Sequence, residues 1–199
     1  RNGKFFWHIS TENADDSGKA IGVVVSDSPV GPFKDARGSA LITNNMTTRW
    51  TTISWDDIDP SVWIDDDGQA YYAWGQFTMK MAKMKPNMME LEESTVTDSV
   101  LTELDHFFHE GPYMTKRNGI YYLIYADLSR ANMPTSIGYA MSDKPFGPYE
   151  YGGVIVDNSH CDPGNWNNHG SIVHFNDQWY VFYHRATHNS KMMRKACVE

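Results

Sequence analysis

Three polar side chains recur at nearly the same place in successive repeats of this sequence, and their types are those of acid–base chemistry. Asp59 and Glu110 each precede a turn glycine by nine residues, and His169 precedes the corresponding Asp177 by eight. Two carboxyl groups of unequal proton affinity provide a proton donor and a carboxylate, and an imidazole can bind water or a metal ion. Asp59, Glu110 and His169 are therefore the candidate reactive set.

Glu110 has the sequence surroundings of a proton donor. Phe107, Phe108 and the Gly111-Pro112 pair are apolar neighbours, and burial among them would raise the pKa of Glu110 by desolvation. An ionised Asp59 nearby would raise that pKa further, because two like charges resist coexisting. The alternatives are a solvated turn residue for Glu110 and an ordinary turn starter for Asp59, which precedes a proline.

A fourfold repeat of a polar turn followed by an aromatic strand must position these residues. The copies read RNGKFFWHIS, DDDGQAYYAWG, KRNGIYYLIYA and HFNDQWYVFYH, with turn positions at Gly3, Gly68, Gly119 and Asp177. Their separations of 65, 51 and 58 residues match one four-stranded propeller blade with its connections. One strand of about seven residues fits between each leading residue and its turn. If this strand is innermost, the candidates open at one end of a central channel.

The fold class predicted from these repeats is an all-β, incomplete β-propeller. IGVVVSDSPVGPFKD from Ile21 matches IGYAMSDKPFGPYEY from Ile137, two blade lengths later. We predict a partial blade at 1–45, blades at 46–100 and 101–158, and a partial blade at 159–199. About three and a quarter blades cannot close a ring. We therefore expect a complementing N-terminal segment or a homo-oligomer, with the Arg1–Ser10 and MMRKACVE strands buried in the contact.

Composition excludes several classes of partner. The net charge is −8, and no block of Lys or Arg interrupts it, so nucleic acid and anionic membranes are poor partners. No apolar run approaches the roughly 18 residues of a membrane span. Cys161 and Cys197 are expected to be buried free thiols rather than a disulfide. The methionine-rich segment MKMAKMK is predicted to be a strand with one solvent-exposed face, and the Asp65–Gly68 segment a hairpin turn rather than a calcium loop.

Three segments carry a resemblance to a known family. WDDIDPSVWIDDDGQAYYAWG, HEGPYMTKRNGIYYLIYA and GNWNNHGSIVHFNDQWYVFYHR resemble the inner-strand motifs of glycoside hydrolase family 43, five-bladed propeller enzymes acting on arabinose- and xylose-containing polysaccharides. The resemblance implies an inverting mechanism, with Glu110 as general acid and Asp59 as the aspartate that tunes the acid and positions the sugar. It implies that His169 helps to hold calcium through water in the central channel. The family's general base lies about two blades before the Asp59 motif, so this chain is expected to be nearly inactive by itself.

Other residues are candidates for substrate binding. His109 beside the acid, and His184 with Arg185 at the end of a strand, could reach sugar hydroxyls, and the planar guanidinium of Arg185 can hold two of them. Aromatic rings stack on sugar faces, although packing within a blade explains any one aromatic equally well. The candidates for such a wall are Trp50, Trp55, Phe77 and Trp74.

Three functions fit these observations. The first is a glycosidase, a β-xylosidase or α-L-arabinofuranosidase, acting on arabinoxylan- or arabinan-type oligo- or polysaccharides. The alternative is a non-catalytic carbohydrate-binding propeller, and the third is a structural propeller, against which the alignment of Asp59, Glu110 and His169 argues. Robust turnover by this chain alone would point to another carboxylate as base, with Asp57 the first suspect.

Overall fold

The computed structural model describes residues 1–14, 18–47, 51–130, 135–161, 167–187 and 190–199. Its two short α-helices are α1 (Asn44–Thr47) and α2 (Glu103–His106), and a 3₁₀ turn spans Glu93–Thr95. The strands are β1 (Phe5–Glu12), β2 (Lys19–Ser26), β3 (Lys34–Asp35), β4 (Ile42–Thr43), β5 (Ser61–Ile64), β6 (Ala70–Trp74), β7 (Thr78–Met84), β8 (Thr97–Thr102), β9 (Phe108–Arg117), β10 (Ile120–Asp127), β11 (Ser136–Ser142), β12 (Glu150–Val156), β13 (Ser171–Phe175), β14 (Gln178–Thr187) and β15 (Ser190–Val198).

The strands form four antiparallel sheets, which are four blades of a β-propeller. The first blade contains β1, β2 and β3, with β4 also paired to β2, and the second runs from β5 to β8 in chain order. The third runs from β9 to β12, and the fourth contains β13, β14 and β15. The propeller architecture predicted from the repeats is confirmed. Strand β8 extends to Thr102, so the second blade runs past the boundary predicted at residue 100.

Three of the four repeated turns have the geometry that their sequence predicts. The pairs Asn2-Gly3, Asn118-Gly119 and Asn176-Asp177 all have positive φ at both residues, from 49° to 80°. Two consecutive residues with positive φ define the type I′ turn, which matches the right-handed twist of paired strands. The second and third of these turns join β9 to β10 and β13 to β14, with Arg117 opposite Ile120 and Phe175 opposite Gln178. The Asp65–Gly68 segment is likewise the predicted hairpin turn, between β5 and β6.

The hydrophobic core lies between neighbouring blades. One cluster joins the first and second blades around Ile21, Tyr72 and Trp74, and another joins the second and third blades. A smaller cluster connects the third blade to Tyr183 of the fourth. Because each blade packs its faces against its neighbours, both faces of a middle strand are buried. The alternation of buried and exposed residues that a half-buried strand would show is lost there.

Strand β7 illustrates this effect and corrects one expectation. The methionine-rich segment is a strand, as predicted, but it has no exposed face, because Met79 and Met81 are fully buried and so is Lys80. The Lys80 ammonium pairs at 3.2 Å with a carboxylate oxygen of Asp56, which is 2% exposed. A buried charge is tolerated when it has such a partner.

Both cysteines are free, as predicted, but Cys161 and Cys197 are half-buried rather than fully buried. None of the helices within the described ranges is long and apolar enough to cross a membrane.

Candidate active site

Buried polar groups fix the segment that carries Asp59. One oxygen of Asp57 accepts a hydrogen bond from the Trp74 indole nitrogen at 2.9 Å, and the other accepts one from the Thr47 hydroxyl. Asp59 has a left-handed φ of 55°, and its backbone N–H donates to the Ser10 hydroxyl oxygen at 2.9 Å. Burial raises the pKa of Asp57. Asp57 therefore holds the segment in place. Both of its carboxylate oxygens already accept hydrogen bonds, which gives no support to the idea that Asp57 serves as the general base.

Glu110 lies on β9 between two irregularities of the strand. The register of β9 against β10 shifts on either side of the pair formed by Glu110 and Ala126. Such bulges re-aim a side chain away from the regular alternation of a strand. The Glu110 side chain is buried at 2% exposure, and one of its oxygens accepts a hydrogen bond from the Gln76 amide at 2.8 Å.

His169 enters the site through a gap that a glycine leaves. Gly111 has a φ of 65°, and a Cβ built there would lie 2.4 Å from Cγ of His169. Only glycine tolerates both the backbone conformation and this approach. The His169 ring packs edge-on against the His184 ring, with centroids 5.7 Å apart. The Glu-Gly-Pro motif thus supplies both the Glu110 carboxyl and the space for an imidazole.

The structure brings the three predicted residues together. One carboxylate oxygen of Asp59, one of Glu110 and one ring nitrogen of His169 all lie within 4.8 Å of one another. Asp59 and His169 open into a cavity of about 570 Å³, lined by residues 7–10, 59–62, 111–113 and 169–170. Oδ2 of Asp59 and Nδ1 of His169 are buried and have no hydrogen-bond partner among the described residues. Buried polar atoms without partners mark a place where a ligand or water can bind.

Burial raises the pKa of both carboxyl groups. Burial and then the charge of Asp59 raise the pKa of Glu110 to about 8, against the smaller opposing effects of Arg194 and the Gln76 amide. For Asp59, His169 and the Gly111 N–H oppose the effect of burial and favour the charged form. A Glu110 carboxyl with a pKa of about 8 keeps its proton near pH 7 and can donate it.

The structure corrects the expectation for one aromatic residue. Trp74 is 1% exposed in the core between the first two blades, so its ring cannot offer a face to a sugar. The repeated motif did not indicate this burial, because Trp74 lies on β6, a middle strand in which every residue is buried. Trp55 is 53% exposed and keeps its predicted role as a candidate. Trp50 lies outside the described residues.

Two further candidates contact each other beside the acid. The rings of Phe77 and His109 meet edge to face, with centroids 5.7 Å apart. His109 is 6% exposed, and its Nδ1 lies 3.1 Å from an oxygen of Glu103. This burial leaves His109 little surface for a sugar, whereas Phe77 is half-buried. The substrate-binding role predicted for each remains a prediction.

Arg185 projects from β14 toward aromatic and sulfur neighbours. Its guanidinium carbon lies 5.5 Å from the centroid of the Tyr183 ring, a cation–π arrangement. Arg185 does not line the cavity beside Asp59 and His169. Its contact with sugar hydroxyls stays a prediction.

Sequence reasoning missed two residues that act on the acid. Gln76 donates directly to Glu110, and Arg194 on β15 lowers the pKa of both Asp59 and Glu110 by its positive charge. Neither belongs to the repeated motif that identified the reactive set. The one local signal for Gln76 is its position after Gly75, in the turn between two predicted strands.

The cluster does not fit calcium as a set of direct ligands. Calcium takes six to eight oxygen ligands, whereas Asp59, Glu110 and His169 offer two carboxyl groups and a ring nitrogen. The predicted contact of His169 with calcium through water stays a prediction.

Comparison with known proteins places the chain in a family. The profile of Glycosyl hydrolases family 43 matches residues 1–199. An arabinoxylan arabinofuranohydrolase of Bacillus subtilis is 32% identical over 211 residues, which cover 95% of this chain and 39% of that protein.

Solved structures agree with the sequence comparison. An α-L-arabinofuranosidase from Clostridium thermocellum superposes with a TM-score of 0.78 and 32% identity, over 100% of this chain and 65% of that one. A β-xylosidase/α-arabinofuranosidase from a compost metagenome, in complex with xylotriose and in a calcium-free form, gives a TM-score of 0.76 and 28% identity, over 100% and 67%. The chain therefore spans about two fifths of the curated relative and about two thirds of these structures.

Proposed function

The chain belongs to glycosyl hydrolases family 43, and on that premise we propose that it is a glycosidase domain that hydrolyses pentosidic bonds of xylose- and arabinose-containing plant polysaccharides. The observation that carries the proposal is the approach of Asp59, Glu110 and His169 to within 4.8 Å, with Glu110 neutral at pH 7. Relatives named for arabinoxylan, arabinofuranosides and xylosides support the substrate class.

Glu110 is the general acid of this proposal. Its proton passes to the glycosidic oxygen as the bond to the anomeric carbon breaks, which spares the leaving group a negative charge. Asp59 performs two tasks. Its charge contributes to the raised pKa of Glu110, and Asp59 lines the cavity, where its carboxylate can accept a hydrogen bond from a sugar hydroxyl.

Inversion requires a carboxylate that activates water on the opposite face of the sugar ring. By the family resemblance, that base lies outside the three motifs of this chain, and near inactivity of the isolated chain is therefore part of the proposal. Loss of a positioned general base costs about 10²–10⁴ in rate. Azide is a nucleophile that needs no general base, so it should restore turnover of an activated aryl pentoside by this chain.

The test compares the wild-type chain with Glu110→Gln, Asp59→Asn and the control Glu150→Gln, whose carboxyl is exposed. The substrates are the 4-nitrophenyl and the methyl glycosides of α-L-arabinofuranose and β-D-xylose, with and without azide. On the methyl glycosides, whose leaving alcohol needs protonation, we expect Glu110→Gln to lose about 10²–10⁴-fold in kcat/KM and the control to match the wild type. Turnover of the methyl glycosides that survives Glu110→Gln would refute the assignment. Binding of xylo-oligosaccharides with no turnover, even with azide, would select the carbohydrate-binding alternative.

We also propose that His169 holds a water molecule in the channel and that calcium binds to this water rather than to the imidazole itself. No step of the reaction is assigned to the ion. Sugar binding measured with calcium and after chelation tests whether the ion takes part.

A second copy of the chain or a complementing segment is proposed to pack against the first and fourth blades. Light scattering of the purified chain tests whether it forms an oligomer.

A further inference from the structure

We infer that Gln76 is a positioning residue for Glu110, and that it fixes the acid relative to Asp59 and directs the acidic proton to one of its two oxygens. The inference rests on the proposed function, because it concerns the same acid. Its starting observation is the 2.8 Å hydrogen bond from Nε2 of Gln76 to Oε2 of Glu110, which is buried.

The backbone of Gln76 is tied to the segment that carries Asp59. The N–H of Gln76 donates to the carbonyl of Asp56 at 3.0 Å, and the N–H of the preceding Gly75 donates to the carbonyl of Ile58 at 2.9 Å. These two bonds span the residues immediately before Asp59. Gln76 therefore moves with Asp59 as one unit of the second blade.

The turn around Gln76 is also tied to the third blade. The N–H of Phe77 donates to the carbonyl of His109 at 2.8 Å, next to Glu110 in the chain. Gly75 has a φ of 122°, and a Cβ there would lie 2.5 Å from the carbonyl oxygen of Thr78, so the turn requires glycine at this position. Because the turn contacts both blades, the Gln76 amide has a fixed distance to the acid.

This geometry determines where the proton of the acid resides. An amide N–H can only donate, so the oxygen that accepts it cannot also carry a hydroxyl proton directed at it. Oε2 of Glu110 accepts from Gln76, and because the carbonyl oxygen of a neutral acid is the better acceptor, this contact favours the proton on Oε1. A general acid must present its proton at one defined atom within hydrogen-bond reach of the leaving oxygen.

The charged groups that act on Glu110 come from the second and fourth blades, on either side of its own. Asp59 raises its pKa and Arg194 lowers it, while the His169 ring lies within 4.8 Å of its carboxyl. The Gln76 amide stabilises the charged carboxylate and so lowers the pKa. Removal of this donor should raise the pKa of Glu110, whereas a loosened blade contact without the hydrogen bond would admit water and lower it.

The experiment uses Gln76→Met, which keeps the length of the side chain and removes the amide. Gln69→Met is the matched control, because the Gln69 amide donates to the carbonyls of Ala70 and Met84 in the same blade but does not touch Glu110. Gln76→Asn is a second variant that keeps the amide but shortens it by one methylene. It serves if the methionine variant fails to fold.

The first readout does not depend on activity. The carboxyl carbon of Glu110 is titrated by ¹³C NMR in each chain. Because the Gln76 amide favours the charged carboxylate, we expect the titration of Glu110 to move up by about one to two pH units in Gln76→Met and Gln76→Asn. It should stay in place in Gln69→Met.

The second readout is the dependence of kcat/KM on the leaving group, measured with azide because the isolated chain is proposed to lack the general base. A good leaving group such as 2,4-dinitrophenolate departs without protonation, whereas an alkyl or sugar alcohol does not. Gln76→Met should therefore lose roughly 10–100-fold on xylobiose or a methyl pentoside and less than about 3-fold on the dinitrophenyl pentoside. A merely structural role would lower both rates equally.

The outcomes separate the two claims. An unmoved Glu110 titration in Gln76→Met and Gln76→Asn, or equal losses on good and poor leaving groups, overturns the role of Gln76. Absence of pentosidase activity in the wild type even with azide, together with the expected NMR shift, would refute the proposed function and leave the contact of Gln76 with the acid supported.

Discussion

Replacement of Glu110 by glutamine is expected to make the folded chain more stable at pH 8 while changing its stability little at pH 5. The structure raises the pKa of this carboxyl from 4.5 to about 8, mainly by burial. Between those two pH values the folded state binds more protons than the unfolded state. Folding stability of the wild type therefore falls as the pH rises through that window.

The size of the effect follows from the same pKa. At pH 8 the raised pKa costs the wild type about 4 kcal/mol of folding free energy, and at pH 5 it costs less than about 1 kcal/mol. Glutamine has nearly the same shape, accepts the Gln76 hydrogen bond and does not titrate. The stability gained by Glu110→Gln should therefore grow by about 3 kcal/mol between pH 5 and pH 8.

Urea unfolding at the two pH values measures this difference directly from the midpoint and slope. Glu150→Gln is the control, because the Glu150 side chain is exposed to solvent. We expect the control to differ from the wild type by the same small amount at both pH values. A gain for Glu110→Gln that is absent, or equal at pH 5 and pH 8, would refute the claim that the acid is held neutral at a cost in stability.

Three further substitutions test the parts that hold the site. Gly111→Ala forces a Cβ to within 2.4 Å of His169 at a positive φ, and we expect a loss of about 1–3 kcal/mol in urea unfolding together with weakened sugar binding. Trp74→Ala should cost about 3–5 kcal/mol of stability. Unchanged stability with a raised KM would instead support its original assignment as an aromatic residue that stacks on the sugar. Lys80→Met should cost about 3–5 kcal/mol by leaving Asp56 charged and unpaired, and the added change Asp56→Leu should recover most of that loss, as a thermodynamic double-mutant cycle would show.

Local features of the sequence determined the strands and their turns. The Asn2-Gly3, Asn118-Gly119 and Asn176-Asp177 pairs favour positive φ wherever they occur, and the aromatic runs after them favour extended structure. The regular distance from each turn back to Asp59, Glu110 and His169 then indicated which side chains share one end of the blades. These features are local, because each can be recognised within one strand and its turn without reference to the neighbouring blade.

Only the tertiary structure decided the burial and the electrostatics. Lys80 belongs to a segment that looks half-exposed, yet it is fully buried because a neighbouring blade covers each face of β7. Gln76 and Arg194 reach the acid from other blades, 34 and 84 residues away along the chain. The pKa of Glu110 depends on desolvation, on the charge of Asp59 in the second blade and on the charge of Arg194 in the fourth. Because these contributions fall off with distance in space and not with separation in sequence, no local pattern of residues could have set them.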